Sequence, residues 1–187
     1  MTWTALVPLK AAAERKTRLA NRLSSRERLD ISDKMFKRVM AALEQSPGVS
    51  RIAILSPERP AAGPSLWLRD QGRGINAELP IALVSLGSRN VIVIHADLPL
   101  VSAADIAALI AVARYGVAIA PDRHESGTNA LGFKDAARFP FAFGPGSCAL
   151  HQQAAGSQGW LVKRQGLAID IDDGDDLDFA VSSGFQR

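Results

Sequence analysis

One short segment constrains the fold of this chain more than any other. Residues 91–96 form an apolar, largely β-branched run, V-I-V-I-H-A, which ends at Asp97 and is followed by L-P-L. A short apolar run with such a polar break is typical of a strand buried on both faces of a parallel sheet. In open α/β sheets, ligands bind outside the carboxyl ends of the strands, where a carboxylate can hold a hard cation next to a phosphate. Asp97 is therefore a candidate ligand-binding residue, and an ordinary turn carboxylate exposed to water is the alternative.

The remaining apolar patterns predict strands that alternate with helices. We predict strands over residues 2–9, 51–55, 65–68, 90–96, 117–120, 128–133, 161–163 and 167–171. Helices are predicted over residues 25–44, 76–86, 103–113, 148–155 and 175–181, with Ser25 and Ser102 as N-caps of the first and third. This alternation predicts an α/β fold with a doubly wound, mostly parallel sheet, and we expect residues 1–187 to form a single domain.

Composition excludes several classes of protein. Hydrophobic residues make up 47% of the chain, which is ordinary for a globular domain and too high for a disordered one. The formal net charge of +3 is too small to indicate nucleic acid as the main partner. No apolar run approaches the roughly 18 residues that a membrane helix needs, and the N-terminus lacks the basic start of a signal peptide. Cys148 is the single cysteine, so no intrachain disulfide can form, and we expect a cytoplasmic protein.

The charged residues are segregated along the chain. Basic residues crowd its N-terminal part, whereas acidic residues concentrate near the C-terminus. Among the acids, Asp170 and Asp172 lie at the end of the predicted strand over 167–171. Two strand-end carboxylate sites in one small α/β chain, with basic residues to face an anion, favour metal-assisted phosphate chemistry.

A cluster of cations follows the first predicted strand. Lys10, Lys16 and Arg18 lie in the loop that such a sheet places at its ligand-binding edge. There they could neutralise a triphosphate and a departing pyrophosphate. The alternative is a solvated helix, because Lys10, Glu14 and Arg18 have a helical spacing with opposite charges paired.

A glycine-rich segment precedes the second predicted helix. Residues 72–77, G-R-G-I-N-A, fit a dinucleotide-binding pattern superficially, but a true fingerprint follows the first strand, which disfavours NAD. Gly74 and Asn76 could still let the backbone approach a base or ribose closely. The chain contains no G-x-x-x-x-G-K-[ST] motif, so it is not a P-loop protein.

A second group of small residues lies further along the chain. Thr128 occurs in G-T-N-A-L, and Gly144, Gly146 and Ser147 occur in F-G-P-G-S. Two glycines and a serine at a helix start can form a nest of N–H donors for an anion. A Pro-Gly turn with an N-cap serine is the alternative. No pair of histidines has the spacing of zinc ligands. His95 is interpreted as a core residue, with contact to a ligand as the alternative because it shares a strand face with Asp97.

Taken in order, these segments resemble one family. The motifs are P-x-K with K-x-R-L, G-x-N before a helix, A-D-L-P, P-D-R with G-T-N-A-L, F-G-P-G-S with a following histidine, and D-I-D with D-L. Together they resemble the guanylyltransferases of deazaflavin coenzyme (F-420) biosynthesis, which transfer GMP from GTP to the phosphate of a small phospho-acid. Ile75, where leucine is expected, and Cys148, where an aromatic residue is common, depart from the pattern without removing a polar group.

The resemblance implies a nucleotidyltransferase fold of the glycosyltransferase-A-like kind. It implies Mg²⁺ at Asp97, Asp170 and Asp172, and the phospho-acid near Thr128, Gly144 and Ser147. Gly74 and Asn76 are the candidates for the nucleotide, and Lys10, Lys16, Arg18 and Asp97 for catalysis. No protein nucleophile is needed, because the acceptor phosphate is already ionised. Catalysis then consists of positioning and charge neutralisation.

The residues leave the acceptor open among 2-phospho-L-lactate, phosphoenolpyruvate and 3-phospho-D-glycerate. Another nucleotidyltransferase, such as a molybdenum-cofactor enzyme, and an inactive nucleotide-binding module are the alternatives. The protein partners to be considered are the downstream transferase that takes the guanylated product and a second copy of the chain.

Overall fold

The computed structural model describes residues 2–60, 66–134 and 139–186. Within these ranges, seven strands form one sheet in the order β3-β2-β1-β4-β6-β5-β7. The strands are β1 (Trp3–Pro8), β2 (Val49–Ser56), β3 (Leu66–Arg69), β4 (Asn90–Ile94), β5 (Val117–Pro121), β6 (Thr128–Lys134) and β7 (Gly159–Leu161). Every pairing is parallel except those of β6, which runs antiparallel to β4 and β5. The predicted mostly parallel sheet is confirmed, although Ser65 of the predicted third strand lies outside the described residues.

Among the described residues, four α-helices lie in the connections between the strands, and two more follow the last strand. They are α1 (Ser25–Glu44), α2 (Ile75–Leu86), α3 (Ala103–Ala113), α4 (Ser147–Ala155), α5 (Gln165–Ala168) and α6 (Gly174–Ser182). Ser102 caps α3 as predicted, but α1 is capped by Ser24 and not by Ser25. Ser24 is the N-cap because its backbone N–H donates to the Glu27 carboxylate at 2.8 Å, which completes a capping box. No helix in the described part of the chain is long and apolar enough to cross a membrane.

The sheet is buried on both faces, as the apolar run of β4 predicts. Ile92 and Ile94 enter one apolar cluster with side chains of α1 and α3. Val91 and Val93 enter a second cluster with side chains of α2 and α4. Successive side chains of a strand point to opposite faces, so a strand covered on both faces must be apolar throughout. The sequence of β4 therefore reflects its central position.

A third apolar cluster holds two polar loops together at one edge of the sheet. Its buried members are Leu19, Ile31, Met35, Ile169, Ile171, Leu177, Ala180 and Phe185. Ile169 and Ile171 are anchored in it, while Asp170 and Asp172 alternate with them along the chain. The cluster therefore fixes the C-terminal aspartates beside the loop that carries Leu19.

Two predictions for these loops are wrong. The predicted strand over 167–171 is instead the short helix α5 followed by residues outside the sheet. The carbonyls of Leu167 and Ala168 accept from the Asn129 side chain, at 3.0 and 3.3 Å, and not from a neighbouring strand. The single solvated helix weighed for Lys10, Glu14 and Arg18 is also absent. Two separate 3₁₀ turns, Ala12–Glu14 and Thr17–Leu19, form there instead.

Candidate active site

The carboxyl ends of β1 and β4 and the start of β6 meet at one edge of the sheet. Because β6 is antiparallel to β4, its first residues lie beside those that follow β4. The backbone N–H of His95 donates to the Asn129 carbonyl at 2.9 Å. This arrangement brings Asp97 and Thr128 to the same edge, although they lie far apart in the sequence. The edge matches the usual position of ligands in open α/β sheets.

Lys16 forms the charged centre of this edge. Its Nζ donates to Asp97 Oδ2 at 2.6 Å and to Asp172 Oδ1 at 3.2 Å. Burial would lower the pKa of Lys16, but the two carboxylates outweigh it and raise the pKa above its ordinary value. Burial acts against the charged form of Asp97 as well, yet Lys16 keeps the pKa of Asp97 below its usual range. Lys16 is thus a buried, permanently charged ammonium group.

Lys10 and Arg18 lie at the outer side of the same charge cluster. Arg18 is 75% exposed, and its Nη1 lies 3.8 Å from Asp172 Oδ2. The charge of Lys10 is close enough to contribute, after burial, to the lowered pKa of His95. The structure therefore brings all three predicted cations to one edge, with Lys16 inside and the other two near the solvent.

Asp97 and Asp170 form an acidic pair whose charges are not fully balanced. Burial and then the charge of Asp97 raise the pKa of Asp170 to about 7. Asp97 Oδ1 is buried and has no hydrogen-bond partner among the described residues. A divalent cation would supply that partner and favour the charged form of Asp170.

The chemistry of this pair fits Mg²⁺, which proteins commonly bind through one or two carboxylates together with substrate phosphates. Among residues 2–60, 66–134 and 139–186, no three His, Cys, Asp or Glu side chains are grouped so that they could hold a metal ion. Asp172 is directed to Lys16 instead. Of the three aspartates predicted as metal ligands, Asp97 and Asp170 thus form the acidic pair, whereas Asp172 contacts Lys16.

Three supporting residues were given no role by the sequence analysis. Asn129 Nδ2 donates to Asp170 Oδ1 at 3.2 Å, which orients that carboxylate. Arg123 Nη2 donates to Asp176 Oδ1 at 2.8 Å, and the other oxygen of Asp176 accepts from the Asp172 backbone N–H at 3.0 Å. These contacts fix the acidic loop from both sides. Asn129 and Arg123 lie within the quoted motifs G-T-N-A-L and P-D-R, so the motifs marked them without revealing their partners.

The predicted acceptor residues come together beside α4. Gly146 precedes the helix with a φ of 72°, and Gly144 has a φ of 130°, both in the range that favours glycine. Ser147 begins α4 and is buried, and its N–H donates to the Gly144 carbonyl at 3.1 Å. Thr128 is also buried and contacts His151 of the same helix. The Pro-Gly turn of the second alternative is present, but the predicted N-cap serine is wrong, because Gly146 is the N-cap of α4 and no side chain caps the helix. The nest of N–H donors for an anion stays a prediction.

A buried carboxylate holds the residues that precede the predicted nucleotide residue Gly74. Gly74 precedes α2 with a φ of 87°. Glu78 accepts from the backbone N–H of Gln71 at 2.9 Å and pairs with the Arg73 guanidinium, also at 2.9 Å. The hydrogen bond from Arg73 is the largest influence on Glu78 and helps to lower its pKa to about 2. Glu78 therefore gives this glycine loop a fixed conformation.

Asn76 has a different environment from the one expected of a nucleotide ligand. Its Nδ2 donates to the Phe143 carbonyl at 3.0 Å, and its Oδ1 accepts from the Phe143 N–H at 2.8 Å. Both polar atoms of the side chain are thus used by the backbone. Asn76 ties the glycine loop before α2 to the loop that carries Gly144.

Solved structures share this fold. A nucleotide-diphospho-sugar transferase from Desulfovibrio desulfuricans aligns with a TM-score of 0.77 at 17% identity, over 98% of this chain and 88% of its own. A nucleotidyl transferase from Methanothermobacter aligns with a TM-score of 0.68 at 15% identity, over 97% of each chain. The fold is therefore that of the nucleotidyltransferases, as predicted.

Sequence comparison narrows the class to a family. A family model described as "Guanylyl transferase CofC like" matches residues 3–184. A phosphoenolpyruvate guanylyltransferase of Sphaerobacter thermophilus is 35% identical over 95% of this chain and 92% of its own length. One of Rubrobacter xylanophilus is 36% identical over 98% and 96%. The chain belongs to the CofC-like guanylyl transferase family of F-420 biosynthesis, and it is a nucleotidyltransferase.

Proposed function

We propose that this enzyme transfers GMP from GTP to the phosphate of phosphoenolpyruvate and releases pyrophosphate. The observation that carries the proposal is the location of Lys16, Asp97 and Asp170 beside Thr128 at one sheet edge. There a cationic and a metal-binding group can face a nucleotide next to donors for an anion. The choice of phosphoenolpyruvate over 2-phospho-L-lactate and 3-phospho-D-glycerate is supported by the activity named for the two relatives above.

In the reaction, an oxygen of the acceptor phosphate attacks the α-phosphorus of GTP in line. The bond between that phosphorus and the oxygen bridging to the β-phosphate breaks, and pyrophosphate leaves. Both reactants are anions, so electrostatic repulsion is the main barrier that the protein must reduce. Lys16 holds a positive charge at the edge, and Lys10 and Arg18 extend the positive potential towards the solvent.

Asp97 and Asp170 are the proposed ligands of Mg²⁺, and Asp172 completes the set if its contact with Lys16 is exchanged. Bound there, Mg²⁺ would neutralise the charge of the phosphates and hold them in place. The chain's own part is to position these carboxylates, through Asn129 for Asp170 and through Lys16 for Asp97 and Asp172.

The acceptor is proposed to bind at Thr128, Gly144, Gly146 and Ser147. Hydroxyl and backbone N–H donors recognise carboxylate and phosphate oxygens without adding a charge to the site. Gly74 lies in the loop before α2 and is proposed to contact the guanosine. Asn76 then acts between the two substrates, because it bonds the backbone of Phe143.

The proposal is tested by pyrophosphate release with purified protein, Mg²⁺ and GTP. Each of the three phospho-acids is supplied in turn, and one reaction contains none. We expect the highest kcat/KM with phosphoenolpyruvate and a product whose mass equals GMP joined to the acid. Reactions with CTP and ATP serve as nucleotide controls. If no nucleotide gives acid-dependent release, the proposed function is wrong.

Two further parts of the proposal concern the surroundings of the enzyme. The single cysteine, which is buried, supports a cytoplasmic location, because a chain with one cysteine cannot form the intrachain disulfides that are typical of oxidising compartments. A homodimer and a contact with the downstream transferase are tested by light scattering of the protein alone and mixed with that transferase.

A further inference from the structure

His151 is a buried side chain for which the proposed function has no task. Its ring is fully enclosed, and each nitrogen has its own partner. Nε2 lies 3.0 Å from the backbone nitrogen of Ala142. Nδ1 lies 2.9 Å from Oγ1 of Thr128, one of the proposed acceptor residues. The ring thus connects the start of β6 to the loop that leads to Gly144.

The two partners determine where the ring carries its proton. Burial lowers the pKa of His151 to about 4, so the imidazole is neutral near neutral pH and has one donor and one acceptor nitrogen. A backbone N–H can only donate, so Nε2 must be the acceptor. The proton is then on Nδ1, and this nitrogen must donate to Thr128.

This assignment fixes the direction of the Thr128 hydroxyl. Because Oγ1 accepts from His151, its own hydrogen points elsewhere. Among the described residues, the imidazole is the hydrogen-bond partner found for this hydroxyl, and Thr128 is buried at the sheet edge. A buried donor without a partner is costly, so the hydrogen is available for an anionic ligand.

We propose that His151 is a positioning residue which holds the Thr128 hydroxyl as a hydrogen-bond donor to the phospho-acid. The inference rests on the proposed function, because that function supplies the anion. The same ring also supports the loop, since it accepts from Ala142, and Phe143 packs edge-on against it at 4.8 Å between ring centroids. One neutral side chain therefore orients a donor and fixes the backbone of the acceptor loop.

The first experiment replaces the imidazole by an aromatic ring that cannot form hydrogen bonds through ring nitrogens. In His151→Phe both hydrogen bonds are lost, but an aromatic ring remains to pack against Phe143. We expect the KM for phosphoenolpyruvate to rise roughly ten- to a hundred-fold, the range for a lost hydrogen bond to a charged group. The KM for GTP should stay within about two-fold. His124→Phe, at an exposed histidine, is the matched control and should leave both KM values unchanged.

A conservative variant separates the hydrogen bonds from the packing. In His151→Gln the amide offers one donor and one acceptor, so part of the loss in His151→Phe should be recovered. A glutamine variant as impaired as the phenylalanine variant would contradict the proposal. Thr128→Val should raise the same KM, and adding His151→Phe to Thr128→Val should cost less than it does in the wild type. Full additivity would mean that His151 does not act through Thr128.

A spectroscopic measurement needs no variant to be active. Nitrogen-15 NMR of the histidine rings distinguishes the two neutral tautomers, and His151→Gln assigns the signal. We expect the Nδ1–H form in the wild type, and the Nε2–H form would overturn the inference. If the wild type is active and His151→Phe leaves the KM for phosphoenolpyruvate unchanged, the inference is also overturned. A wild type without acid-dependent pyrophosphate release would remove the proposed function instead, and the ligand role of Thr128 with it.

Discussion

The two sides of the candidate site hold their polar groups in different ways. The charged side consists of Lys16, Asp97, Asp170 and Asp172, and both Asp97 and Asp172 accept from the buried ammonium group of Lys16. The neutral side consists of Thr128, Gly144, Ser147 and His151, which are arranged by backbone and ring hydrogen bonds. The charged side keeps an unpartnered oxygen on Asp97 and a raised pKa on Asp170. The neutral side has no ionised group of its own.

This difference indicates how the two sides contribute to catalysis. Charged groups that lack a partner in the free protein gain the most interaction energy when phosphate and cation bind. They can therefore stabilise the charge that develops in the transition state. Neutral donors that are already oriented bind the ground state and the transition state about equally. We therefore expect changes on the charged side to lower kcat and changes on the neutral side to raise KM.

The largest effect is expected for Asp97→Asn on the charged side. The change keeps the size of the side chain but removes the charge that faces Lys16 and the proposed cation. We expect kcat to fall ~10²–10³-fold, the usual cost of one strong electrostatic contact. Steady-state rates are measured over a Mg²⁺ series, with circular dichroism to verify folding. Asp30→Asn at an exposed position is the control, and wild-type rates at saturating Mg²⁺ would make Asp97 an ordinary strand-end carboxylate.

The next effect concerns the neutral side. Ser147→Ala removes a buried hydroxyl and should raise the KM for the phospho-acid roughly ten-fold or more, with kcat little changed. GTP affinity, measured by calorimetry without acceptor, should not move. Gly144→Val should be harsher, because its φ of 130° disfavours any branched residue and the new methyl groups enter the open space before the loop. Equal weakening of GTP and acid binding by Ser147→Ala would assign this loop to the nucleotide.

A smaller effect is expected for Glu78→Gln, in the glycine loop before α2. The folded pKa of Glu78 is lowered from 4.5 to about 2. Its charged form therefore stabilises the fold fully above pH 4.5, and this contribution is lost as the pH falls towards 2. Urea unfolding should show a lower free energy of unfolding at pH 7 by ~1–3 kcal/mol and a weaker acid dependence than in the wild type. Glu44→Gln, at an exposed helix end, should behave like the wild type.

The smallest effect on stability is expected for Arg18→Ala. Its ion pair with Asp172 is long and exposed, so the free energy of unfolding should change by less than ~0.5 kcal/mol. If Arg18 faces the triphosphate, the KM for GTP should rise while the melting temperature stays constant. Arg26→Ala on the exposed part of α1 is the control. Unchanged kinetics would restrict the cationic function of this loop to Lys10 and Lys16.

The sequence by itself determined the fold and the location of the site. The apolar run of β4 required a strand covered on both faces, and Asp97 had to follow it at the ligand-binding edge. The cap at Ser102 was also readable, because a capping box is a contact within one turn. These features depend on neighbours in the chain, and local patterns are sufficient to predict them.

Only the tertiary structure decided which side chains work together. Lys16 meets Asp97 and Asp172 because a third apolar cluster joins two distant loops, and no spacing in the sequence encodes that contact. The sequence assigns no partner to His151, whereas in the structure the start of β6 places Thr128 against its ring. The strand predicted over 167–171 was wrong because the Asn129 side chain took the carbonyls that a strand would use. Apolar periodicity reports burial, whereas the partner of a buried polar group is set by long-range packing.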